Sequence, residues 1–484
     1  MNEQVLQNTI QRCREREIII PTYEQMKHPE TIPAKIQQRL KDIDLWAMDS
    51  MNLFRINWKN NPTTGGFGKV NYLEFPRELT GTKARILALC GKFFPTGAHK
   101  VGATFGPLAS RMVRGEFDPT TQKAVWPSTG NYCRGGAYDS ALLGCHAIAI
   151  LPKEMSRERF EWLETVGAEI IATPGCESNV KEIYDKCWEL KKTRGNEVVV
   201  LNQFEEFGNP IWHYEVTGSA IDEVLQDEMG SKDHFAGLAL STGSAGTLGC
   251  ADYLRKLYPR MKVCAAEALQ CPTLLNNGFG AHRIEGIGDK HIPWVHNVAN
   301  TDMIAAIDDE DTMRIIRLFN EPAGQEALVR AGVNKDLVDR LDLVGVSGVG
   351  NLLAAIKMAH YYELDEQDVV FTILTDSMEL YGSRLEELKS THGEYTPTDA
   401  AIDLNHSMLG QKTDNLLELS YLDQKRIHNL KYFTWVEQQA REVEELNAQW
   451  YDRNYWENAL GQASMWDQEI KAFNDKTELL KKYL

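Results

Sequence analysis

The sequence contains no apolar run that approaches the roughly 20 residues needed to cross a bilayer. Its first residues also lack the basic stretch and the apolar stretch that begin a secretory signal peptide. We therefore expect neither a membrane anchor nor secretion, and we predict a cytoplasmic protein.

The nine cysteines are scattered, and no two of them have the C-x-x-C spacing of a zinc site or a redox pair. We expect reduced thiols buried as small apolar side chains, and no metal site. The net charge is −17 at pH 7 and there is no basic run, so the sequence does not favour binding to nucleic acid or to anionic membranes. A small molecule is the expected partner.

The chain of 484 residues is long enough for two domains with appendages. Residues 1–62 are polar and helix-like, which predicts an N-terminal helical extension. Beyond them, short apolar runs alternate with helical stretches, a pattern typical of buried parallel strands in an α/β fold. The expected strands lie within residues 85–89, 147–152, 170–172, 198–201, 238–240, 262–265 and 369–374. We predict domains over residues 63–205 and 206–400, and a helical C-terminal extension over residues 401–484.

Lys100 follows a turn rich in proline and glycine and precedes a run of small and apolar residues that predicts a helix start. Such a turn lets the backbone approach a ligand closely. In apolar surroundings a lysine amine loses hydration and tends towards its neutral form, which a lysine that forms a Schiff base requires. The alternative is a surface lysine after a turn.

Four other stretches follow predicted strands, at the positions where α/β folds bind ligands. Residues 126–132 offer hydroxyls and an amide that bind a carboxylate or a ring oxygen, or only cap a helix. Residues 241–249 are small and leave amides bare at a helix N-terminus, which predicts either a phosphorylated cofactor or a tight turn. Residues 345–351 can close over a cofactor or pack on the sheet, and Ser377 can bond a buried heteroatom or cap a helix.

In this order the stretches resemble the fold-type II pyridoxal-phosphate (PLP) enzymes, and above all their cysteine synthase branch, over about residues 66–390. Residues 280–288 look like the branch's G-I-G signature, and residues 202–218 look like its Q-F…N-P…H…T-G segment. Residues 374–383 look like its L-P-D-S-G-E-R-Y-L-S segment. The resemblance implies two three-layer α/β/α domains with mostly parallel sheets.

The resemblance also implies roles for individual residues. Lys100 would be the Schiff-base lysine, Asn131 would meet the ring hydroxyl oxygen of PLP, and Ser377 would face its pyridine nitrogen. The phosphate would be held by Ser241, Thr242, Gly243, Ser244, Ala245, Gly246 and Thr247. The substrate carboxylate would be held by Ser128, Thr129, Tyr132 and Gln203.

The chain departs from the branch beside two of these residues. His99 precedes Lys100, as in the tryptophan synthase β-subunit, and it either assists the leaving group or packs behind the cofactor. The bulky Tyr132 follows Asn131 where the branch has threonine, so the substrate pocket must differ. Arg134 and Gly135, which follow Cys133, are similar to residues of diaminopropionate ammonia-lyase.

The implied activity is β-elimination or β-replacement on a small amino acid of serine or cysteine type, through a bound 2-aminoacrylate. An ammonia-lyase of the threonine dehydratase or diaminopropionate type is the alternative. A PLP-binding subunit without turnover is a third reading. The tryptophans of the C-terminal extension predict packing on the core or on a second subunit, and thus a homodimer or a larger assembly.

Overall fold

The computed structural model of the chain describes residues 2–128, 130–175 and 179–484, and its strands form two sheets. The strands are β1 Tyr72–Phe75, β2 Arg85–Cys90, β3 Lys123–Pro127, β4 His146–Pro152, β5 Glu169–Thr173, β6 Val198–Val200, β7 His234–Ser241, β8 Lys262–Ala268, β9 Met303–Ile307, β10 Asp368–Leu374 and β11 Leu416–Glu418.

Helices cover both sheets and both ends of the chain. They are α1 Glu3–Glu15, α2 Tyr23–Lys27, α3 Ala34–Leu40, α4 Arg77–Thr80, α5 Lys100–Val113, α6 Asn131–Leu142, α7 Arg157–Thr165, α8 Val180–Arg194, α9 Gly208–Trp212, α10 Gly218–Glu228, α11 Gly249–Leu257, α12 Thr273–Asn276, α13 Asp309–Asn320, α14 Pro322–Arg330, α15 Lys335–Val338, α16 Val346–Tyr361, α17 Gly382–His392, α18 Pro397–Asp403, α19 Tyr421–Lys431, α20 Val443–Tyr451, α21 Tyr455–Leu460 and α22 Ala463–Thr477. In the described ranges, none of them has both the length and the apolar character of a membrane span.

The larger sheet has seven strands in the order β1-β2-β10-β7-β8-β9-β11, and the smaller sheet has four in the order β5-β4-β3-β6. All pairs are parallel except the outer pairs β1–β2 and β9–β11. Central strands such as β10 are buried on both faces because helices cover both sides of the sheet, which explains their continuous apolar runs. The predicted α/β class with mostly parallel sheets is confirmed.

All seven predicted strands are present. The prediction missed β1, β3, β9 and β11. In β3, whose sequence is KAVWP, the apolar run is short and lies between a lysine and a proline. The strands β1 and β11 are short and lie at the sheet edges, and β9 has the sequence MIAAI, whose alanines and methionine do not favour strands. The predicted domain over residues 63–205 supplies strands to both sheets, because β1 and β2 join the larger one.

The two terminal extensions pack on the core and on each other. The Asp467 carboxylate of α22 accepts hydrogen bonds from the backbone amides of Tyr23 and Glu24, at 2.6 and 3.0 Å. The ring of Trp466 lies 5.9 Å from that of Tyr23, centroid to centroid. Among the tryptophans of the C-terminal extension, Trp435 and Trp466 are buried, whereas Trp450 and Trp456 are half-buried. This region is therefore a folded part of the molecule.

Candidate active site

Lys100 is the first residue of α5, and a left-handed turn places it there. Thr96 and Gly97 have φ values of 73° and 71°, and Gly97 packs so closely on Trp46 that a Cβ would lie 2.7 Å from its ring. Only glycine combines this backbone angle with such a close contact. The turn directs the Lys100 amine across to the larger sheet, where its Nζ donates to Ser244 Oγ at 3.0 Å.

Ser244 belongs to the loop between β7 and α11, residues 241–247, which we call the amide loop. The amides of Gly243, Ser244 and Ala245 have no hydrogen-bond acceptor within the described residues. Gly246 approaches Asn209 so closely that a Cβ would lie 2.0 Å from Asn209 Oδ1. Bare amides at the start of a helix form a site for an anion such as phosphate.

A pocket of about 520 Å³ lies between the amide loop and α5. Ten of the predicted site residues line it, namely Lys100, Ser128, Asn131, Tyr132, Gln203, Ser241, Gly243, Ser244, Ala245 and Thr247. Three others, Thr242, Gly246 and Ser377, do not line it, and Thr129 lies outside the described residues. Thr242 directs its hydroxyl to the carbonyl of Ala266 on β8, at 2.9 Å.

Asn131 is held by a buried network that we call the charged cluster, formed by Asn131, Arg159, Glu285, Asp376 and Tyr381. Asn131 Nδ2 and Tyr381 OH both donate to Asp376 Oδ2, at 2.5 and 2.7 Å. Arg159 Nη2 donates to Tyr381 OH at 3.0 Å and lies 3.2 Å from Glu285 Oε2. Such a network fixes the orientation of its members because every shift breaks several bonds.

Burial raises the pKa of Asp376 above its usual range, although the hydrogen bonds from Tyr381 and Asn131 act in the opposite direction. Asp376 Oδ1 has no partner in the described residues, so a proton can reside on that oxygen while Oδ2 accepts both bonds. The pKa of Tyr381 is raised well above its usual range, mainly by burial, so the phenol stays protonated.

His99 is fully buried behind Lys100, with its ring 5.6 Å from that of Trp58 and 5.0 Å from that of His213. Burial, and then the charge of Lys100, lowers the pKa of His99 well below its usual range. The ring is therefore neutral at physiological pH. Neither of its nitrogens has a partner in the described part of the chain, although His99 also lines the pocket.

Ser128, Tyr132 and Gln203, which are expected to bind the substrate, lie on the side of the pocket formed by the smaller sheet. Gln203 Nε2 donates to Ser128 Oγ at 3.2 Å, and Asn209 links Gln203 to the amide loop through the Gln203 carbonyl and Ser244 Oγ, at 2.9 and 3.1 Å. Tyr132 is buried against Trp126, and its hydroxyl has no partner among the described residues.

Sequence reasoning missed several residues that line the pocket, namely Arg159, Gly286, Asp289 and Thr375. Gly286 lies within the G-I-G signature of residues 280–288 and Thr375 within residues 374–383, so the quoted motifs contained both without assigning them. Asp289 directly follows the G-I-G signature and was not quoted. Arg159 carries no such signal, because a single arginine on a helix is ordinarily an exposed residue.

A lysine amine can form a Schiff base with a carbonyl group, and here it faces an anion site across the pocket. This arrangement is typical of the class of proteins that bind a phosphorylated carbonyl compound. The family model described as "Pyridoxal-phosphate dependent enzyme" matches residues 64–376. The chain therefore belongs to the pyridoxal-phosphate-dependent enzyme family, which confirms the resemblance and the expected cofactor.

Individual relatives support the assignment. The chain is 33% identical over 288 residues to a cysteine synthase of Staphylococcus aureus, covering 59% of this chain and 84% of that protein. It is 30% identical over 316 residues to the cystathionine beta-synthase of Mus musculus, covering 63% of this chain and 51% of that protein. The fold is similar to that of a hydrogen sulfide-producing enzyme from Fusobacterium nucleatum, with a TM-score of 0.55, 24% identity and coverage of 64% and 95% of the two chains.

The residues present fit PLP. The bare amides of the amide loop suit its phosphate, and the tight approach at Gly246 leaves no room for a side chain there. The Oδ1 atom of Asn131 is buried without a partner in the described residues, while its Nδ2 retains one hydrogen beyond that given to Asp376. Lys100 supplies the amine between these two groups.

Proposed function

We propose that the chain catalyses β-replacement or β-elimination on a small amino acid of serine or cysteine type. The observation that carries the proposal is that Lys100, the amide loop and Asn131 border one pocket together with Ser128 and Gln203. The cysteine synthase and the cystathionine beta-synthase noted above carry names consistent with this reaction class.

Bound PLP supplies the electron sink that makes the substrate's α-proton and β-substituent removable. Lys100 Nζ is the amine that would hold the cofactor and later accept the α-proton. The amide loop would bind the phosphate, and Asn131 would bind the ring oxygen. Ser377 is the predicted partner of the ring nitrogen, where a hydroxyl gives only a neutral hydrogen bond.

Ser128 Oγ and Gln203 Nε2 would bind the α-carboxylate of the amino acid. Tyr132, which also lines the pocket, would limit the space beside that carboxylate. Burial raises the pKa of Tyr132 well above its usual range, so its hydroxyl is a neutral donor. His99 is neutral as well and therefore does not offer the proton of an imidazolium to a leaving group. The bulk of Tyr132 in the pocket wall favours small substrates over amino acids with bulky side chains.

An amino-acid screen of the purified protein tests the proposal. L-cysteine should release sulfide, or O-acetyl-L-serine with sulfide should yield cysteine, together with a change in the cofactor absorbance. The Lys100→Ala variant is the control for each signal. Release of 2-oxobutyrate from L-threonine, or turnover of diaminopropionate, would instead support the ammonia-lyase alternative. Bound PLP with no response to any of these amino acids would support a subunit without turnover.

We also propose that the chain forms a homodimer or a larger assembly. Tyr421, Leu422 and Tyr451 of the C-terminal extension are exposed by 63%, 76% and 67%, and apolar side chains grouped in this way favour an interface. Light scattering after gel filtration tests this, with a monomer mass as the contrary result.

The eight described cysteines are free and buried, which supports the reducing compartment expected from the sequence.

A further inference from the structure

The C-terminal extension reaches a core segment, residues 289–296, that borders the pocket. This segment begins at Asp289, which lines the pocket, and continues from the G-I-G turn. The family model matches residues 64–376, so the residues of the extension that contact this segment lie beyond the matched part.

Lys431, the last residue of α19, makes the main contact. Its Nζ is fully buried and donates to the carbonyl of Trp294 at 2.9 Å, to the carbonyl of His296 at 2.7 Å and to Gln449 Oε1 at 2.7 Å. Three acceptor oxygens suit the three N–H donors of a lysine ammonium, although burial lowers the pKa of Lys431 well below its usual range. No carboxylate of the described residues forms an ion pair with Lys431, and two of its three hydrogen bonds go to the segment while the third goes to Gln449.

Trp435, one turn further on, makes the second contact. Its Nε1 donates to the carbonyl of Ile292 at 2.7 Å, and its ring lies 5.7 Å from that of His291 and 6.1 Å from that of Trp294. Trp294 and Trp435 are both fully buried. Backbone carbonyls at positions 292, 294 and 296 are thus all held by side chains from the extension.

The same segment contacts the strip of chain that carries Gln203. The amide of Val295 donates to the carbonyl of Phe204 at 3.3 Å, and the ring of His291 lies 4.7 Å from that of Phe204. From the extension, Arg441 pairs with Glu205 at 2.8 Å while lying 5.4 Å above the ring of Trp294. Asp289 and Gln203, two residues of the pocket wall, therefore depend on one packed unit.

We propose that Lys431 and Trp435 are positioning residues, through which the C-terminal extension fixes the 289–296 segment and thereby the pocket wall that meets the substrate. Asp289 at its start is also held from the core side, where Thr273 Oγ1 donates to its carbonyl at 2.8 Å. Loss of the extension's contacts should therefore loosen the wall without removing it. Within the described residues, the hydrogen bonds of Lys431 and Trp435 go to the segment and to Gln449 and not to the amide loop, so cofactor binding should persist.

The test compares holoenzyme variants Lys431→Met and Trp435→Phe. The second removes one hydrogen bond and keeps an aromatic ring, so it remains informative if the first fails to fold. Lys425→Met is the matched control, because Lys425 lies on the same helix but contacts the rings of Trp450 and Tyr451 instead of the segment. Hydrogen exchange is followed at residues 286–296, and PLP content is followed by absorbance.

We expect exchange at residues 286–296 to become about tenfold faster in both variants, which corresponds to roughly 1.4 kcal/mol of local stability. With L-cysteine, KM should rise about 3- to 10-fold while kcat changes less than about twofold, because ground-state contacts are lost. The control should match the wild type. The KM measurement rests on the proposed function, whereas the exchange measurement needs no substrate. A failure of this proposal can therefore be distinguished from a failure of the proposed function.

Two results would overturn the proposal. In the first, both variants melt at lower temperature but show wild-type exchange at residues 286–296, which would make the contacts merely stabilising. In the second, exchange rises but the KM for L-cysteine stays at the wild-type value, which would show that the segment does not set substrate binding.

Discussion

The amide loop and the charged cluster lie on two sides of the pocket and differ in how the hydrogen bonds of their polar groups are satisfied. In the amide loop, the backbone amides of Gly243, Ser244 and Ala245 have no acceptor among the described residues, and the side chains are small. In the charged cluster, Arg159 and Asp376 are buried and joined to their neighbours by hydrogen bonds of 2.5 to 3.0 Å. One side is arranged for a ligand that brings its own charge. The other pairs its charged side chains largely within the protein, and single oxygens such as Asp376 Oδ1 and Asn131 Oδ1 lack a partner in the described residues.

The difference indicates how the binding energy is divided. A charged ligand that binds the bare amides gains affinity, because these amides then donate hydrogen bonds that they lack in the free protein. The charged cluster gains few bonds on binding and instead holds Asn131 in place beforehand, which is preorganisation. Changes in the amide loop should therefore alter cofactor affinity, whereas changes in the cluster should alter stability and its dependence on pH.

The largest effect is expected at Lys100, which lies between the two sides. Lys100→Ala removes the amine that would hold PLP and accept the α-proton, so turnover of L-cysteine should fall by about 10³-fold or more. Borohydride reduction followed by mass spectrometry should place the reduced PLP adduct on Lys100 in the wild type. The nearby Lys92→Ala variant, which loses a surface ion pair with Asp342, should behave as the wild type. An adduct on another lysine would disprove the assignment.

Asp376→Ala should have the next largest effect, because it leaves two buried donors, Asn131 Nδ2 and Tyr381 OH, without their acceptor. The expected loss is about 2–4 kcal/mol of unfolding free energy, measured by urea denaturation. Asp376→Asn keeps an oxygen that accepts both bonds and should lose less than about 1.5 kcal/mol. Equal losses in the two variants would mean that the network does not depend on this acceptor.

The two sides also differ in how far the sequence could predict them. The amide loop was predicted because its seven residues are contiguous, small and directly after a strand. The charged cluster joins residues 131, 159, 285, 376 and 381, which come together only through the folding of both sheets. Glu285 and Arg159 each resemble an ordinary surface charge when considered alone. Lys431 was missed for the same reason, since a lysine on a polar helix is usually exposed.

A change in the amide loop should weaken the cofactor more than the fold. Gly246→Ala would place a Cβ 2.0 Å from Asn209 Oδ1, so the loop must shift and misalign its amides. We expect the Kd for PLP to rise about tenfold, or roughly 1.4 kcal/mol, when followed by cofactor fluorescence. At Gly66, the corresponding Cβ would lie 3.6 Å from its nearest neighbour, so Gly66→Ala is the control and should leave the Kd unchanged. A reduced melting temperature with unchanged PLP affinity would contradict this account of the loop.

The smallest expected effect is a pH dependence that only the charged cluster can have, since the residues of the amide loop do not titrate. Burial raises the pKa of Asp376 in the folded protein, whereas an unfolded aspartate titrates near about 3.9. Above that pH the folded state retains a proton that the unfolded state has lost. The contribution of Asp376 to stability is thus full below about pH 3.9 and declines as the pH rises through the folded-state pKa.

Melting temperatures measured across mildly acidic to neutral pH test this sign. Asp376→Asn cannot titrate, so the wild type should lose stability relative to this variant as the pH rises. Gly246→Ala should retain the wild-type slope because it leaves Asp376 unchanged. If the difference between the wild type and Asp376→Asn were constant with pH, or grew in favour of the wild type, the carboxylate would be ionised in the fold. Asn131 would then be held by a permanent negative charge, and the cluster would carry a charge towards the cofactor ring that the neutral acid does not.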